Sequence, residues 1–236
     1  MPPSSPPSPT ALKRGFLFAF LRYERLSEPS LIQRCVRNLI GSDIIHVAVL
    51  PALGVGDDAA HAAITGPYAY TAFMFSGFER QPAEHVLGDP AFDYVFLPVP
   101  EPADYRRGLA FLHKLDGAGY NYLSLVLAVL PRAVKAQHGD GFPNWITDEH
   151  PFFDDLLPPT HRRHHHPATT TKDRIFCSQL GLLLCYACNA LPHHTYDPAS
   201  CLPAELLDFL LCDGHAVRAP LTGAQVLPEE AALDAS

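Results

Sequence analysis

The chain has 236 residues, of which 47% are hydrophobic and 18% charged, and its formal net charge is −8. This composition predicts one globular domain with a buried core. The acidic balance argues against a nucleic-acid binder, because such proteins carry a basic surface. Six cysteines are too few for a disulfide-stapled scaffold, so we expect reduced thiols and a cytoplasmic, intracellular protein. No secretory signal or bilayer-spanning apolar run is visible, which leaves peripheral membrane contact open.

The first hundred residues predict a short tail, one helix and several strands. Residues 1–11 are rich in proline and serine and predict a disordered tail. Apolar positions at helical spacing in residues 29–40 predict a helix. Runs of aromatic and aliphatic residues predict strands, at residues 15–22, 43–50, 68–75 and 94–99. The strand at 43–50 is apolar on both faces, so we expect it to be covered on both sides. Glycine, proline and acidic residues predict turns, at residues 54–58 and 76–89.

The rest of the chain predicts helices and one irregular insertion. Two helices are predicted first, at residues 102–114, which begin with proline, and 122–130, which end before another proline. Residues 132–172 have no periodicity and contain a histidine cluster, so we interpret them as an insertion near a site entrance. Leucines at helical spacing predict the last two helices, at residues 177–191 and 203–212. Residues 12–218 are therefore interpreted as a single domain, followed by a C-terminal tail at 219–236.

Two of these segments carry reactive side chains. Cys177 stands where a predicted helix begins, and the free backbone N–H groups and dipole of a helix start favour a thiolate. His46 stands in the middle of the predicted strand at residues 43–50. A thiol at a helix start and an imidazole on a strand are the minimum for a cysteine nucleophile with its base. Each also has a common structural interpretation, as a buried core side chain among aliphatic neighbours.

The same segments resemble a known family. FCSQL at residues 176–180, followed by an apolar helix, resembles the nucleophile motif of the circularly permuted NlpC/P60 papain-like proteins. DIIHVAVL at residues 43–50 resembles their histidine strand, which in permuted members precedes the cysteine. YAYTAFMFSGF, YNYLSLV and DPASCLPAELLDFL resemble further segments of the family. The resemblance implies an α+β fold in which an antiparallel sheet packs against helices, with the cysteine at the N-terminus of a helix.

The resemblance also implies a role for particular residues. Cys177 would be the nucleophile, with its backbone N–H helping to stabilise the oxyanion, and His46 would be the general base. The position that orients the imidazole maps onto Thr71, where many relatives have Glu, Asn, Gln or His. A threonine hydroxyl carries no charge that could stabilise an imidazolium. Tyr120 and Ser178 would contribute to substrate binding, although Tyr120 is equally well interpreted as a core tyrosine.

We therefore expect a thiol-dependent hydrolase or acyltransferase that acts on an amide, ester or thioester bond. Its substrate would be a peptide, lipid or other acyl compound, and it would need no cofactor. The alternative is a catalytically impaired papain-like module that binds a partner, which the uncharged Thr71 and the proline-rich tail favour. The proline-rich and histidine-rich segments would suit a viral member of the family.

Metal binding is a weaker hypothesis. Cys185 and Cys188 have the spacing of a zinc-ligand pair, and His193 and His194 follow them. A structural zinc site needs four converging ligands, whereas this pair lies within a predicted helix. The histidines at residues 161–166 are interpreted as part of a solvated loop. We therefore expect no metal site.

Overall fold

The computed structural model describes residues 13–55, 61–73, 76–116, 118–120, 174–191, 198, 201–212, 215–219 and 226–227. The described strands are β1 (Lys13–Arg22), β2 (Ile44–Val55), β3 (His61–Thr65), β4 (Tyr68–Phe73), β5 (Gly77–Pro82), β6 (Phe92–Pro98), β7 (Gly119–Tyr120), β8 (Arg174–Ile175), β9 (Val217–Arg218) and β10 (Val226–Leu227). The described helices are α1 (Leu31–Ile40), α2 (Pro102–Lys114), α3 (Cys177–Ala187) and α4 (Pro203–Cys212). The architecture is α+β.

One sheet contains most of these strands. Its order is β10-β3-β2-β1-β6-β9, and β4 pairs with both β2 and β5. Among the described strands of this sheet, β10 and β3 run parallel and the other pairs are antiparallel. Strands β7 and β8 form a separate parallel pair. The central strand is β1, which positions β2 on one side and β6 on the other.

The sheet is covered on both faces, as the apolar pattern predicts. Along β1, Phe16, Phe18 and Phe20 point to the face that packs against helices, while Leu17 and Ala19 point to the other face. All five side chains are fully buried. The alternation arises because successive side chains of a strand point to opposite sides. The two-sided burial expected for β2 is confirmed as well, since residues 47–50 are completely buried.

Helix α3 lies at the centre of the helical layer and is buried along its whole length. Gly181 lets it approach the sheet and α4, because a Cβ there would lie 2.5 Å from Leu206 Cδ2. The other end of the helix is held by Arg107, whose Nε donates a hydrogen bond to the carbonyl of Ala187 at 3.2 Å. A buried and anchored helix fixes the position of its first residue, Cys177.

Helix α1 is attached much more loosely. Ser30 and Gln33 form a capping box at its start, and Gly41 ends it in the left-handed conformation with φ +64°. Of its ten residues only Ile40 is buried, and Leu31 is 76% exposed. Three apolar side chains of this helix, Leu31, Ile32 and Leu39, are therefore exposed among the described residues. Within the described ranges, none of the helices combines the length and the apolar character that a membrane span needs.

Most of the predicted elements are confirmed, and several of them need correction. Residues 76–89, predicted as a turn, contain β5. Only Gly77 and Phe78 of this edge strand are buried, and its other residues are at least partly exposed, so its composition resembles that of a turn. The predicted tail at 219–236 contains β10, which pairs with β3, a strand that the sequence analysis also missed. Strand β2 runs beyond its predicted end, to Val55, and so occupies the start of the turn predicted at residues 54–58. The helix predicted at residues 177–191 ends at Ala187, shortly before Asn189 adopts a left-handed φ of 52°. The predicted tail at 1–11, the helix at 122–130 and the insertion at 132–172 lie outside the described residues.

Candidate functional site

Cys177 is the first residue of α3, as predicted. The preceding Phe176 is extended, with φ −116° and ψ 166°, and its side chain does not cap the helix. The first backbone N–H groups of α3 therefore lack the usual side-chain acceptor. Burial raises the pKa of the Cys177 thiol to about 11, and hydrogen bonds from the backbone N–H groups of Val47, Ser178 and Cys177 offset only part of that effect.

This pKa corrects the expectation of a thiolate. The helix start was predicted to stabilise the negative charge, and the backbone N–H groups act in that direction. Removing the sulfur from water has the larger effect, since Cys177 is only 5% exposed. The resting side chain is therefore a neutral thiol at pH 7.

His46 lies on β2 beside an irregularity in the sheet. The β1–β2 register pairs Leu21 with His46 and then Arg22 with Ile44, so Ile45 is an extra residue in β2. Such a bulge redirects the side chains next to it. The imidazole stacks on Phe73 with ring centroids 5.0 Å apart. Burial lowers the pKa of His46 to about 4, so the ring is neutral at pH 7.

Thr71 determines which nitrogen of this neutral ring carries the proton. Its hydroxyl donates a hydrogen bond to the carbonyl of Val47 at 2.8 Å, and its Oγ1 lies 2.8 Å from His46 Nε2. A hydroxyl has a single proton, which the Val47 carbonyl already receives. His46 Nε2–H must therefore donate to Thr71 Oγ1, and the lone pair of the ring is on Nδ1. Thr71 is thus a positioning group for the imidazole, and it is fully buried.

A cavity of about 300 Å³ brings the reactive residues together. Cys177 and His46 both line it, and so does Tyr120, which β7 places next to β8 and the start of α3. Among the described residues, no hydrogen bond joins the Cys177 sulfur to the imidazole. The site at rest therefore consists of a neutral thiol and a neutral imidazole on the wall of one cavity.

Ser178 does not take the predicted position in this cavity. Its side chain is fully buried, and its hydroxyl donates a hydrogen bond to the carbonyl of Cys201 at 2.7 Å. Because Ser178 follows Cys177 on the helix, its side chain points about 100° away from the thiol. The hydroxyl ties α3 to the segment before α4, and Ser178 is not among the described residues that line the cavity.

The sequence analysis missed the contribution of α1 to the cavity. Ile32, Gln33 and Val36 line it, and so does the N-cap residue Ser30. The strong amphipathic pattern of residues 31–40 was a usable signal, because such a helix must place its apolar side on something. Nothing in the sequence indicated that this side would lie next to Cys177.

The described residues contain no cluster of three or more potential metal ligands. Cys185 and Cys188 are both buried free thiols at the end of α3. The histidines at 161–166 and 193–194 lie outside the described residues. Comparison of the chain with protein-family models, with curated proteins and with solved structures found no match in any of the three.

Proposed function

We propose that the protein is a thiol-dependent hydrolase or acyltransferase with a permuted papain-like fold, acting on an amide, ester or thioester carbonyl. One observation supports this most strongly: Cys177 and His46, which are far apart in the sequence, line the same cavity. The hydrogen bond from His46 to Thr71 adds to it, because it leaves the ring in the tautomer that a general base needs.

The reaction begins with attack of Cys177 Sγ on the carbonyl carbon. The thiol proton passes to His46 Nδ1, and the π electrons of the carbonyl move to its oxygen, which the backbone N–H of Cys177 stabilises. When the carbonyl re-forms, the bond to the leaving group breaks and His46 returns the proton to the leaving amine, alcohol or thiol. Water or another acceptor then attacks the thioester by the same route and restores the thiol.

The two shifted pKa values bear on the timing of proton transfer. A thiol with a pKa of about 11 and an imidazole with a pKa of about 4 do not form an ion pair at rest. Proton transfer is therefore coupled to attack on the carbonyl, where the developing oxyanion favours the charged imidazolium. Thr71 holds the ring by hydrogen bonding and supplies no charge.

The alternative is a papain-like binding module without catalysis. The neutral pair favours it, as does the missing hydrogen bond between sulfur and imidazole in the described site. In that case the cavity binds a ligand and Cys177 is a buried core thiol. The two functions differ in whether Cys177 forms a covalent acyl product.

An acyl-transferring activity probe distinguishes them. Cys35 and Cys212 are exposed free thiols that would react non-specifically, so the experiment uses the variant Cys35→Ala/Cys212→Ala as its background. We expect covalent labelling in this background, loss of labelling in Cys177→Ala, and retention in Cys188→Ala, a control that removes another buried thiol. Labelling that survives Cys177→Ala would refute the nucleophile, and absence of labelling throughout would favour the binding module.

A further inference from the structure

We propose that the side-chain amide of Gln33 is a second hydrogen-bond donor to the oxyanion, so that α1 and α3 each supply one donor. This inference rests on the proposed function, because it adds a catalytic residue to the same reaction. It is carried by the position of Gln33 on the cavity wall and by the hydrogen bond that orients its amide.

The proposed reaction places a negative charge on the former carbonyl oxygen, for which the backbone N–H of Cys177 is the one donor assigned so far. Such an oxygen is stabilised most strongly by several donors that already point at its position before the charge forms. No Lys or Arg is among the described residues that line the cavity. A second donor on the described wall is therefore an uncharged N–H or O–H group.

Gln33 is on the side of α1 that faces the domain. Of the ten residues of this helix, only Gln33, Val36 and Ile40 are not exposed. They share one face because they are three or four positions apart. Gln33 also lines the cavity that Cys177 and His46 line, and the volume of this cavity is only about 300 Å³. A carbonyl group bonded to Cys177 therefore lies within reach of the wall that carries Gln33.

The capping box at the start of α1 fixes the orientation of the Gln33 amide. The backbone N–H of Ser30 donates a hydrogen bond to Gln33 Oε1 at 2.7 Å, and a backbone N–H faces an acceptor, so the nitrogen of the amide is on the other side. Among the described residues, Gln179 Oε1 is the only buried side-chain N or O atom without a partner. Gln33 Nε2 has no partner in the described part of the chain either, so it is accessible, and its N–H groups are available to a bound oxygen.

The other polar side chains of the wall are less suited to this role. Ser30 and Ser76 are exposed, so their hydroxyls rotate and stay hydrated, and a donor that must reorient when charge forms loses part of its effect. The Nε2–H of His46 is committed to Thr71. Tyr120 already makes another interaction. Gln33 combines an available donor with an amide that a hydrogen bond holds in place.

The substitution Gln33→Glu tests the proposal, because it removes the N–H donors and keeps the helix cap. Glutamate is itself a capping-box residue and still accepts from the Ser30 N–H, so the urea midpoint should be retained. The assay is hydrolysis of p-nitrophenyl acetate, from which the rate of Cys177→Ala is subtracted. We expect kcat and kcat/KM to fall together by about 10²–10³-fold, because the donor acts in the transition state.

Two further variants separate the lost donor from the added charge. Gln33→Met removes the amide without adding a charge and should lower kcat by a similar factor, although it also weakens the helix cap. Asn38→Asp makes the same change from amide to acid at an exposed position of α1 that does not line the cavity. Its kcat should equal that of the wild type.

The outcomes separate this inference from the proposed function. Wild-type kcat in Gln33→Glu or in Gln33→Met would overturn the oxyanion donor and leave the thiol enzyme standing. A higher KM at constant kcat would do the same, because Gln33 would then bind substrate and transition state equally. An equal loss of kcat in Asn38→Asp and Gln33→Glu, with none in Gln33→Met, would assign the effect to charge and overturn the inference as well. Absence of any turnover that depends on Cys177 in the wild type would refute the proposed function, and the oxyanion donor with it.

Discussion

At the scale of single residues, Thr71 shows how an uncharged group can orient the His46 imidazole. Within the described residues, β2 and β4 pair at Val49 and Tyr70. Next to this pair, the Thr71 hydroxyl donates a hydrogen bond to the Val47 carbonyl. The same oxygen accepts a hydrogen bond from His46 Nε2–H. One hydroxyl therefore satisfies a backbone carbonyl and selects the ring tautomer, which a carboxylate without a proton could not do in this geometry.

The isosteric substitution Thr71→Val should therefore reduce both stability and activity. It leaves the Val47 carbonyl and the His46 Nε2–H without their partner in a buried place, at a cost of about 1–3 kcal/mol for each group. We expect a lower urea midpoint and a large decrease in kcat with a small change in KM. Thr71→Ser keeps the hydroxyl and should recover most of both quantities. Equal kcat values in Thr71→Val and the wild type would show that the hydroxyl does not position the base.

At the scale of secondary-structure elements, the site depends on how closely the helical layer approaches the sheet. Helix α3 carries Cys177, and α2 packs beside it against β1. Gly108 makes this close packing feasible, because a Cβ there would lie 2.6 Å from Phe16 Cζ and 3.2 Å from Leu184 Cδ1. Phe16 is fully buried, so its ring cannot move aside freely.

Gly108→Ala should for this reason destabilise the protein. In an unconstrained helix alanine would be more stable than glycine by about 1 kcal/mol, whereas overpacking typically costs about 1–3 kcal/mol. We expect a net loss of stability in urea unfolding. In the background Phe16→Leu, which removes part of the ring, the same substitution should be neutral or stabilising. A double-mutant cycle measures the difference, and a coupling energy of zero would contradict the packing argument.

At the scale of the whole molecule, burial makes the fold sensitive to acid. The pKa of His46 falls to about 4 from an ordinary value of 6.5, because the surrounding protein removes most of the water from a ring that is still partly accessible from the cavity. Asp93 titrates at lower pH than His46. Burial alone would raise the pKa of its carboxyl, but hydrogen bonds and charges from Arg22 and Arg25 lower that pKa below 3.8. These ion pairs, at 2.7 Å each, join the end of β1 and the turn after it to β6.

Stability should consequently decrease in two stages as the pH falls. Between pH 6.5 and about 4 the unfolded chain binds a proton at His46 that the native state does not, so the native state loses up to about 3 kcal/mol. Below pH 3.8 Asp93 becomes protonated in the unfolded chain while its carboxylate stays ionised in the native state. The stabilisation that the Asp93 ion pairs give to the native state is therefore lost as the pH falls through this range.

Unfolding free energies measured across this pH range check the prediction. His46→Gln should remove the first stage, and His85→Gln, a control at an exposed position, should keep it. Asp93→Asn should weaken the second stage. A stability that stays constant from pH 6.5 to 4 in the wild type would show that the His46 ring is protonated equally in the folded and unfolded states.

The sequence by itself determined the elements that carry the reactive side chains. Period and composition are local signals, so the strand with His46 and the helix that begins at Cys177 could be predicted from neighbouring residues alone. The position of β5 could not, because its polar residues resemble a turn until β4 supplies a partner. The link from Thr71 to His46 came from a resemblance, and its geometry depends on where β4 meets β2.

The tertiary structure alone decided the protonation state of Cys177 and the shape of the cavity. The pKa of Cys177 depends on every atom that excludes water from the sulfur, and those atoms come from distant parts of the chain. The sequence showed only that Cys177 begins a helix, which indicated a thiolate. The fold buries the sulfur and keeps the thiol neutral. For the same reason the wall that α1 adds to the cavity could not be read from residues 31–40. Secondary structure depends on near neighbours in sequence, whereas desolvation and cavity walls depend on neighbours in space.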